Sequence, residues 1–448
     1  MKSPPPVSRI LFDCTTTQSN TLRGIPRVIR SVMRHASEVA GERGGTVIPL
    51  TYAFGGWSEA SLTESDESAR KHLVNSLATS WVEQFCRMVP SRKLRRLVLP
   101  PPGRDGIWKF PRKFLATSQR LNHRLTHQSV SPRAGDVLML FNSWLRAPAS
   151  FWRNVKEARR RGACIGTVVY DLIPITHPYF VGPNHEKKFR SWLRRIAEHS
   201  DFFVAISETV KAELQGHLKN SDPKQDWSDD RFFSFMLGSE IPAPSGALIR
   251  DSVEIAFEAG NTYLMVGALE PRKNQAFLLD AFDRLWQRGS HVKLCFVGSE
   301  TRAVPELRDR LNNHRERNSR LYYFSDLNDD ELDYCYQHTR ALVCPSLVEG
   351  FGLPIIEALQ YGKCVFASNT RIHHEVGRDY CEYFDLGCSE SLAARIAEFE
   401  SQLHEGNIRP KIDFKAPTWN ESCREMLEIC FHSQTIFVPD RQEAARAA

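Results

Sequence analysis

The second half of the chain alternates short apolar runs with longer amphipathic stretches. Apolar runs of about four to eight residues are typical of strands buried on both faces, and longer stretches with apolar positions three and four apart are typical of helices. The predicted strands are residues 263–267, 291–298, 321–324, 341–346 and 364–368. The predicted helices are residues 274–288, a polar stretch that runs to about 318, and residues 329–339 and 354–362. Strands and helices in this order predict a doubly wound parallel α/β domain.

The first half of the chain shows the same pattern less regularly. Its candidate strands are residues 9–13, 46–52, 136–141, 164–171 and 201–206. Residues 239–260 are rich in turn formers, which predicts the interdomain linker. Residues 418–431 have an apolar face at helical spacing, and we expect this helix to pack back across both domains. We therefore predict an N-terminal domain at 1–245, a C-terminal domain at 246–417, and the helix with a tail at 418–448.

Composition places the chain among soluble globular proteins. Of its 448 residues, 42% are hydrophobic and 25% are charged, which suits a chain with more than one domain core. No apolar run is long enough for a membrane-spanning helix, and the opening MKSPPPVSRILFDC has prolines where a signal peptide has its apolar core, so we expect a cytoplasmic protein. The 11 cysteines never form Cys-x-x-Cys and several lie in strand-like runs, which predicts reduced core thiols.

Positive charge is concentrated in one segment. Residues 91–134 contain eleven lysines and arginines and one acid, Asp105, so this segment alone carries 11 − 1 = +10 against +6 for the whole chain. Apolar and aromatic residues alternate with the cations, which favours docking on an anionic membrane surface over binding nucleic acid. A solvated charged face over a buried apolar one remains the alternative.

The motif SLVEGFGLPIIE at 346–357 has the layout of an anion site. It follows a predicted strand, its glycines allow close approach of backbone amides to a ligand, and Pro354 favours a helix start whose free N–H groups suit a phosphate. Glu349 and Glu357 flank this site. Carboxylates would repel a phosphate but accept hydrogen bonds from sugar hydroxyls, so the pair suits a nucleotide sugar, which has hydroxyls on both sides of its diphosphate.

A second motif, GALEPRKNQ at 267–275, also joins a predicted strand to a helix start. It places Arg272 and Lys273 at the carboxyl edge of the sheet, where two cations neutralise a diphosphate leaving group. No Asp-x-Asp triplet occurs in the chain, so we expect these cations to replace a bridging metal ion.

Both motifs resemble family 4 of the retaining glycosyltransferases. EGFGLPIIE matches the Glu-x7-Glu signature of that family, and GALEPRKN resembles its donor-phosphate loop. Residues 325–332 resemble its base-binding loop, residues 368–385 resemble a segment with a Glu-Val pair, and AISETVKAEL at 205–214 resembles a serine-containing turn. The resemblance implies the GT-B fold, in which two Rossmann-like doubly wound domains face each other across a cleft.

The resemblance also implies a role for each motif residue. Glu349 would contact hydroxyls of the donor sugar and Glu357 the ribose. Arg272 and Lys273 would hold the diphosphate and stabilise its charge as the glycosidic bond breaks. The other donor-binding assignments are Gly350, Phe351, Gly352 and Leu353 in the glycine turn, Leu327 near the base, and Gly24 in the first domain.

In the first domain, residues 10–28 and 168–180 resemble segments of bacterial mannosyl- and rhamnosyltransferases that build surface polysaccharides. The chain departs from the family twice, with one glycine, Gly24, where many members have two, and with Tyr170 where many have histidine. Asp171 is the candidate catalytic group of this domain. Roles in acceptor or sugar contact, or in core packing and capping, remain open for Asp13, Arg27, Tyr170 and Asp171 itself.

The resemblance implies a retaining, metal-independent hexosyltransferase. We expect it to move mannose from GDP-mannose to a glycan or lipid-linked oligosaccharide in bacterial O-antigen or capsule synthesis, by a front-face route and with no further cofactor. A UDP-sugar-dependent enzyme of the same fold and a non-catalytic nucleotide-binding subunit are the alternatives. An NAD-linked Rossmann enzyme is disfavoured because no G-x-G-x-x-G opens a helix. We expect no nucleic-acid partner, and a peripheral position on the inner face of the inner membrane if residues 91–134 bind lipid.

Overall fold

The computed structural model describes residues 9–15, 24–53, 55–60, 128–141, 147–240, 246–300, 304–406 and 413–437. The chain forms two compact units, residues 1–142 with 147–166 and 432–448, and residues 143–146 with 167–431. These units are defined by contacts between residues and do not test where the domains begin and end. The domain limits expected at 245 and 417 therefore stay predictions. Residues 91–127 of the basic segment lie outside the described residues, so the membrane role of this segment also stays a prediction.

The described strands are numbered along the chain. They are β1 Arg9–Asp13, β2 Thr46–Ala53, β3 Gly56–Glu59, β4 Ser129–Val130, β5 Val137–Leu140, β6 Cys164–Val169, β7 Phe202–Ala205, β8 Phe232–Ser234, β9 Thr262–Val266, β10 Lys293–Val297, β11 Leu321–Phe324, β12 Ala341–Cys344, β13 Cys364–Ser368 and β14 Glu382–Phe384. They form two sheets, in the orders β4-β3-β2-β1-β5-β6-β7-β8 and β11-β10-β9-β12-β13-β14.

The described α-helices are numbered in the same way. They are α1 Ile25–Gly41, α2 Ala149–Arg160, α3 Ile173–Thr176, α4 Pro183–His199, α5 Glu208–Ser221, α6 Asp251–Phe257, α7 Gln275–Gln287, α8 Pro305–Asn312, α9 Asp329–His338, α10 Leu353–Gln360, α11 Arg371–Gly377, α12 Ser389–His404 and α13 Trp419–Phe437. Among the described residues, no helix combines the length and apolar character that crossing a bilayer requires.

In the first unit, β1 lies between β2 and β5 and is parallel to both. Strands β3 and β4 extend the edge of the sheet by antiparallel pairing. Helix α1 buries one face, with apolar residues three and four apart as an amphipathic helix requires; these are Val28, Ile29, Val32, Met33, Ala36, Val39 and Ala40.

In the second unit, the six strands of the C-terminal sheet pair in parallel. Both faces are covered by helices, so the strands are apolar almost throughout. The core lies between this sheet and helices α7 and α12, and it contains fully buried Tyr263, Phe282 and Phe366. The doubly wound arrangement predicted for this part of the chain is confirmed.

The structure departs from the sequence prediction at several places. Strands β3, β4, β8 and β14 were not predicted, because runs of two to four residues give too little periodicity. Residues 251–257, within the predicted linker, form helix α6, which buries Val253, Ala256 and Phe257. The last helix, α13, extends beyond the predicted end at 431 to Phe437. Cys388 is exposed, whereas most of the other described cysteines are buried as expected.

Candidate active site

The two motif loops meet at one edge of the C-terminal sheet. Strands β9 and β12 are parallel neighbours, so their carboxyl ends lie side by side and the loops that follow them emerge together. The backbone amide of Leu347 in the second loop donates to the carbonyl of Arg272 in the first at 2.8 Å. The loop after β9 makes a short 3₁₀ turn, Pro271–Lys273, and Asn274 then enters helix α7 with left-handed backbone angles.

Two positions of the second loop require glycine, one for a close backbone contact and the other for its backbone angles. Gly350 passes so close to the backbone of Tyr170 that an added Cβ would lie 2.2 Å from the Tyr170 carbonyl oxygen. Gly352 has φ of 108°, which favours glycine, and it forms the N-cap of helix α10. Helix α10 therefore begins at Leu353, one residue before the proline expected to start it. Pro354 has no N–H and the Ile355 amide donates to the Gly352 carbonyl at 2.9 Å, so the amides that an anion could reach at this helix start are those of Gly352 and Leu353.

Glu349, Arg272 and Lys273 form one buried ionic cluster. Oε2 of Glu349 accepts from Nη1 of Arg272 at 2.6 Å, and Oε1 accepts from Nζ of Lys273. Arg272 also pairs through Nε with Oε2 of Glu270 at 2.9 Å. The side chain of Glu349 is 8% exposed and that of Lys273 is 12% exposed, so these charges interact with little screening by water.

The pKa values of the cluster follow from its geometry. Burial raises the pKa of Glu349, but the adjacent Lys273 and Arg272 outweigh it and hold the pKa at about 2. Burial lowers the pKa of Arg272, while Glu349 and Glu270 raise it to a net value above the ordinary one. Glu349 is therefore a stable anion and Arg272 a stable cation.

Asp171 lies beside this cluster with a different electrostatic balance. Burial raises its pKa and the negative charge of Glu349 adds to the effect, whereas the Ile173 amide and Arg272 oppose it, and the net pKa is above its usual range. Oδ1 of Asp171 accepts from the Ile173 amide at 3.0 Å. Asp171 is thus the more basic of the two carboxylates.

Glu357 lies inside helix α10 and is 2% exposed. Its Oε2 accepts a hydrogen bond of 2.6 Å from the hydroxyl of Tyr336 on helix α9. The ring of Tyr336 stacks on that of Tyr361, with centroids 5.7 Å apart. Sequence reasoning missed Tyr336, although a buried tyrosine hydroxyl and a buried carboxylate each need a partner.

A buried thiol and imidazole lie below the glycine turn. Sγ of Cys344 is 3.6 Å from Nε2 of His373, and Nδ1 of His373 is 3.1 Å from the carbonyl oxygen of Ser368. A carbonyl can only accept, so Nδ1 carries a hydrogen. Burial disfavours charge on both groups, but their mutual interaction prevails: the pKa of Cys344 is lowered and that of His373 is raised. Sequence reasoning missed this pair, because nothing in the spacing connects the two positions.

The serine-containing turn and the Glu-Val segment also meet. One carboxylate, that of Glu375, accepts from the amides of Glu208 at 2.6 Å and of Thr209 at 2.8 Å at the start of helix α5. The Ser207 hydroxyl accepts from the Val210 amide as the N-cap and donates to the Gly350 carbonyl at 3.0 Å. The resemblance named both segments, but only the structure shows their contact.

Other predicted residues lie in the glycine turn, before helix α9 and in the first unit. Leu327 is 4% exposed and precedes helix α9, and Phe351 is 4% exposed. Gly24 is the N-cap of helix α1 with φ of 66°. Asp13 ends strand β1, is fully buried and accepts from the Thr15 hydroxyl at 2.5 Å. The donor and acceptor roles assigned to these residues stay predictions.

The fold and the motif loops define a class of protein. The chain has the GT-B fold, and residues 250–409 match the model of the family glycosyl transferases group 1. The matched part of the chain holds both motif loops.

Several relatives are mannosyltransferases. The chain is 29% identical over 285 residues to the serotype-specific mannosyltransferase WbdA of Escherichia coli, covering 61% of this chain and 34% of the relative. It is 33% identical over 240 residues to the O-antigen chain mannosyltransferase B of Escherichia coli, covering 52% of this chain and 60% of that protein. The chain thus spans about a third of the length of the first relative.

Among solved structures, Anabaena Alr3699/HepE in complex with UDP and glucose superposes with a TM-score of 0.52. The identity is 13%, and the match covers 99% of this chain and 100% of that chain. At this identity the likeness shows the fold alone. It confirms the GT-B class that the motifs implied.

Proposed function

We propose that this protein is a retaining hexosyltransferase that moves mannose from GDP-mannose to a glycan or lipid-linked oligosaccharide in bacterial surface polysaccharide synthesis. The observation that carries the proposal is the cluster of Arg272, Lys273 and Glu349 beside the N-terminus of helix α10. Two cations and the N-terminus of a helix suit a diphosphate, and a carboxylate beside them suits a sugar hydroxyl. The mannosyltransferase names of the relatives support the choice of sugar.

Each group of the site has a part in the proposed transfer. Arg272 and Lys273 stabilise the charge that develops on the leaving diphosphate, which is electrostatic catalysis by largely buried cations. Glu349, held ionised by these cations, accepts hydrogen bonds from the donor sugar. Asp171, the more basic carboxylate beside the cluster, is the candidate for contact with the acceptor hydroxyl. In the front-face route the departing diphosphate itself takes part in removing the acceptor proton.

Substitution of the two cations tests the leaving-group role. We expect Arg272→Ala and Lys273→Ala each to lower kcat by about 10²-fold or more, the cost of removing one preorganised donor from a developing charge. The matched control is Arg284→Ala, which removes an exposed arginine paired with Glu390 on the surface. Near wild-type kcat in both site variants, with circular dichroism showing that they fold, would remove the leaving-group role.

The donor base is tested separately by ligand-induced stabilisation. A ligand that binds only the folded state raises the melting temperature according to its affinity and concentration. We expect GDP to raise it more than UDP at equal concentration, and a donor panel read by mass spectrometry to show transfer from GDP-mannose. Greater stabilisation by UDP supports the UDP-sugar alternative. Binding without hydrolysis or transfer from any donor supports a non-catalytic subunit.

Metal independence and membrane contact are further parts of the proposal. Among the described residues, no group of three or more His, Cys, Asp and Glu side chains is placed to hold a metal ion, but this leaves the expectation untested. We expect activity to survive chelation by EDTA. If residues 91–134 dock on lipid, flotation with liposomes increases with their content of anionic lipid. Flotation that is independent of anionic lipid contradicts the peripheral position.

A further inference from the structure

Three aromatic side chains lie together on the surface of the second unit. The ring centroids of Tyr179 and Phe180 are 4.4 Å apart, and that of His177 is 5.8 Å from Tyr179 and 6.0 Å from Phe180. Tyr179 is 73% exposed, more than any other Tyr, Phe or Trp in the part of the chain that the structure describes. Single exposed apolar residues are ordinary, but here the exposed Tyr179 ring lies against two half-buried aromatic rings, which together form a larger surface. These three residues are called the aromatic platform below.

The backbone beneath the aromatic platform is preorganised. The amides of Ile175 and Thr176 both donate to the carbonyl of Leu172, at 2.8 and 2.9 Å, and form the single turn of helix α3. Residues 178–180 follow as a 3₁₀ turn, in which the Phe180 amide donates to the His177 carbonyl at 3.1 Å. Two prolines within residues 173–180 further restrict the chain. Binding of a ligand here therefore costs little conformational entropy, because the segment is already ordered.

The aromatic platform is continuous with the candidate active site. Asp171, whose pKa responds to Arg272 and Glu349, begins the same segment, and Gly350 of the glycine turn packs against Tyr170. Leu172 and the four residues of helix α3 separate Asp171 from His177. Four helical residues span about 6 Å, so the platform begins within about two helical turns of Asp171.

We propose that the aromatic platform binds a pyranose ring of the acceptor glycan, one or more sugars away from the hydroxyl that receives the transferred hexose. The apolar C–H face of a pyranose stacks on the electron-rich face of an aromatic ring. The Tyr179 hydroxyl and the His177 imidazole add hydrogen-bonding groups at the rim for sugar hydroxyls. This inference rests on the proposed function, because the acceptor is what the transferase reaction requires beside the donor.

A lipid surface is the competing occupant, and the sequence of the segment disfavours it. Residues 171–182 contain no lysine or arginine, so they lack the cations that draw interfacial elements to anionic lipid. Helix α3, the regular helix of this segment, has four residues, too few for the amphipathic face that enters a bilayer. An exposed tyrosine next to a half-buried phenylalanine provides an area suited to one sugar ring.

Acceptor kinetics test the proposal. We expect Tyr179→Ala and Phe180→Ala each to raise KM for a mannose oligosaccharide acceptor by about tenfold, with KM for the donor and the rate of donor hydrolysis without acceptor unchanged. Tyr179→Trp restores acceptor KM to near the wild-type value because the aromatic face is kept. The matched control is Tyr380→Ala, another exposed tyrosine, at 40% exposure, which packs edge-on against Phe414.

The outcomes separate the platform from the proposed function. If the acceptor KM is unchanged in both alanine variants, the proposed role of the platform in acceptor binding is wrong. If, in addition, these variants no longer float with liposomes, the three residues contact lipid instead. If the wild-type protein transfers no sugar from any donor, the proposed function fails. The platform is then still tested by saturation-transfer NMR with a mannose trisaccharide, in which the signal is expected in wild-type protein and lost in Tyr179→Ala. Equal signals in the two proteins overturn it.

Discussion

The ionic cluster at Glu349 predicts how the stability of the protein depends on acid. The cluster holds the pKa of Glu349 at about 2, against an ordinary value of 4.5. In the unfolded chain this carboxyl takes up a proton as the pH falls through 4.5, whereas in the folded protein it does so only near 2. Its contribution to stability is therefore complete above the unfolded pKa and is lost as the pH falls towards the folded one.

The magnitude follows from the two pKa values. At pH 3.5 the carboxyl is about nine-tenths protonated in the unfolded chain, whereas it remains ionised in the folded protein. The unfolded state is therefore stabilised by proton binding by about RT ln 10, or roughly 1.4 kcal/mol, relative to the folded state. The perturbation is Glu349→Gln, which keeps the shape of the side chain and removes its titration. Between pH 6.5 and 3.5, the wild-type free energy of unfolding should fall by about 1.4 kcal/mol more than that of the variant.

Urea titrations at several pH values, followed by circular dichroism, measure this difference. Glu398→Gln is the control, because Glu398 is an exposed glutamate on helix α12 and the same chemical change is made there. The control should keep the wild-type dependence on pH. If Glu349→Gln and wild type lose the same free energy over this interval, Glu349 does not pair with buried cations in solution and the electrostatic account of the site is wrong.

Three further substitutions test other contacts. Tyr336→Phe removes the 2.6 Å hydrogen bond to Glu357, and we expect nucleotide binding measured by calorimetry to weaken about tenfold while circular dichroism is unchanged; equal affinity would contradict a positioning role for Tyr336. Gly350→Ala would place a Cβ 2.2 Å from a backbone carbonyl, so activity should be lost, whereas Gly387→Ala meets no atom within 4 Å and should retain it. Glu375→Gln weakens the capping of helix α5 and should lower the free energy of unfolding by about 1 kcal/mol, measured in urea; an unchanged value would show that the cap is not needed.

Much of the C-terminal sheet could be predicted because its strands are buried on both faces. Strand β11 was predicted with its observed bounds, and β9 was placed one residue late at each end, because each is an apolar run bounded by polar residues. Strand β14 was not predicted. It has three residues and only Phe384 is fully buried, so it is defined by pairing with β13 rather than by its own pattern.

The site was predicted in outline, whereas its pairings could not be. Sequence spacing placed Glu349, Arg272 and Lys273 at strand ends but assigned them to different parts of a ligand. The structure shows that they bind one another, because β9 and β12 are neighbours in the sheet. That adjacency depends on a strand order that no local pattern contains.

The positive charges of Arg272 and Lys273 are balanced by the carboxylates that pair directly with them. Arg272 and Lys273 contribute two positive charges, and Glu349 and Glu270 contribute two negative ones, so the four groups sum to zero. An approaching diphosphate therefore experiences little long-range attraction from this cluster and gains its ionic contacts only after arrival, by displacing carboxylates from their partners. The rate at which donor associates should accordingly change little with ionic strength, and selectivity among anions should arise from fit at close range.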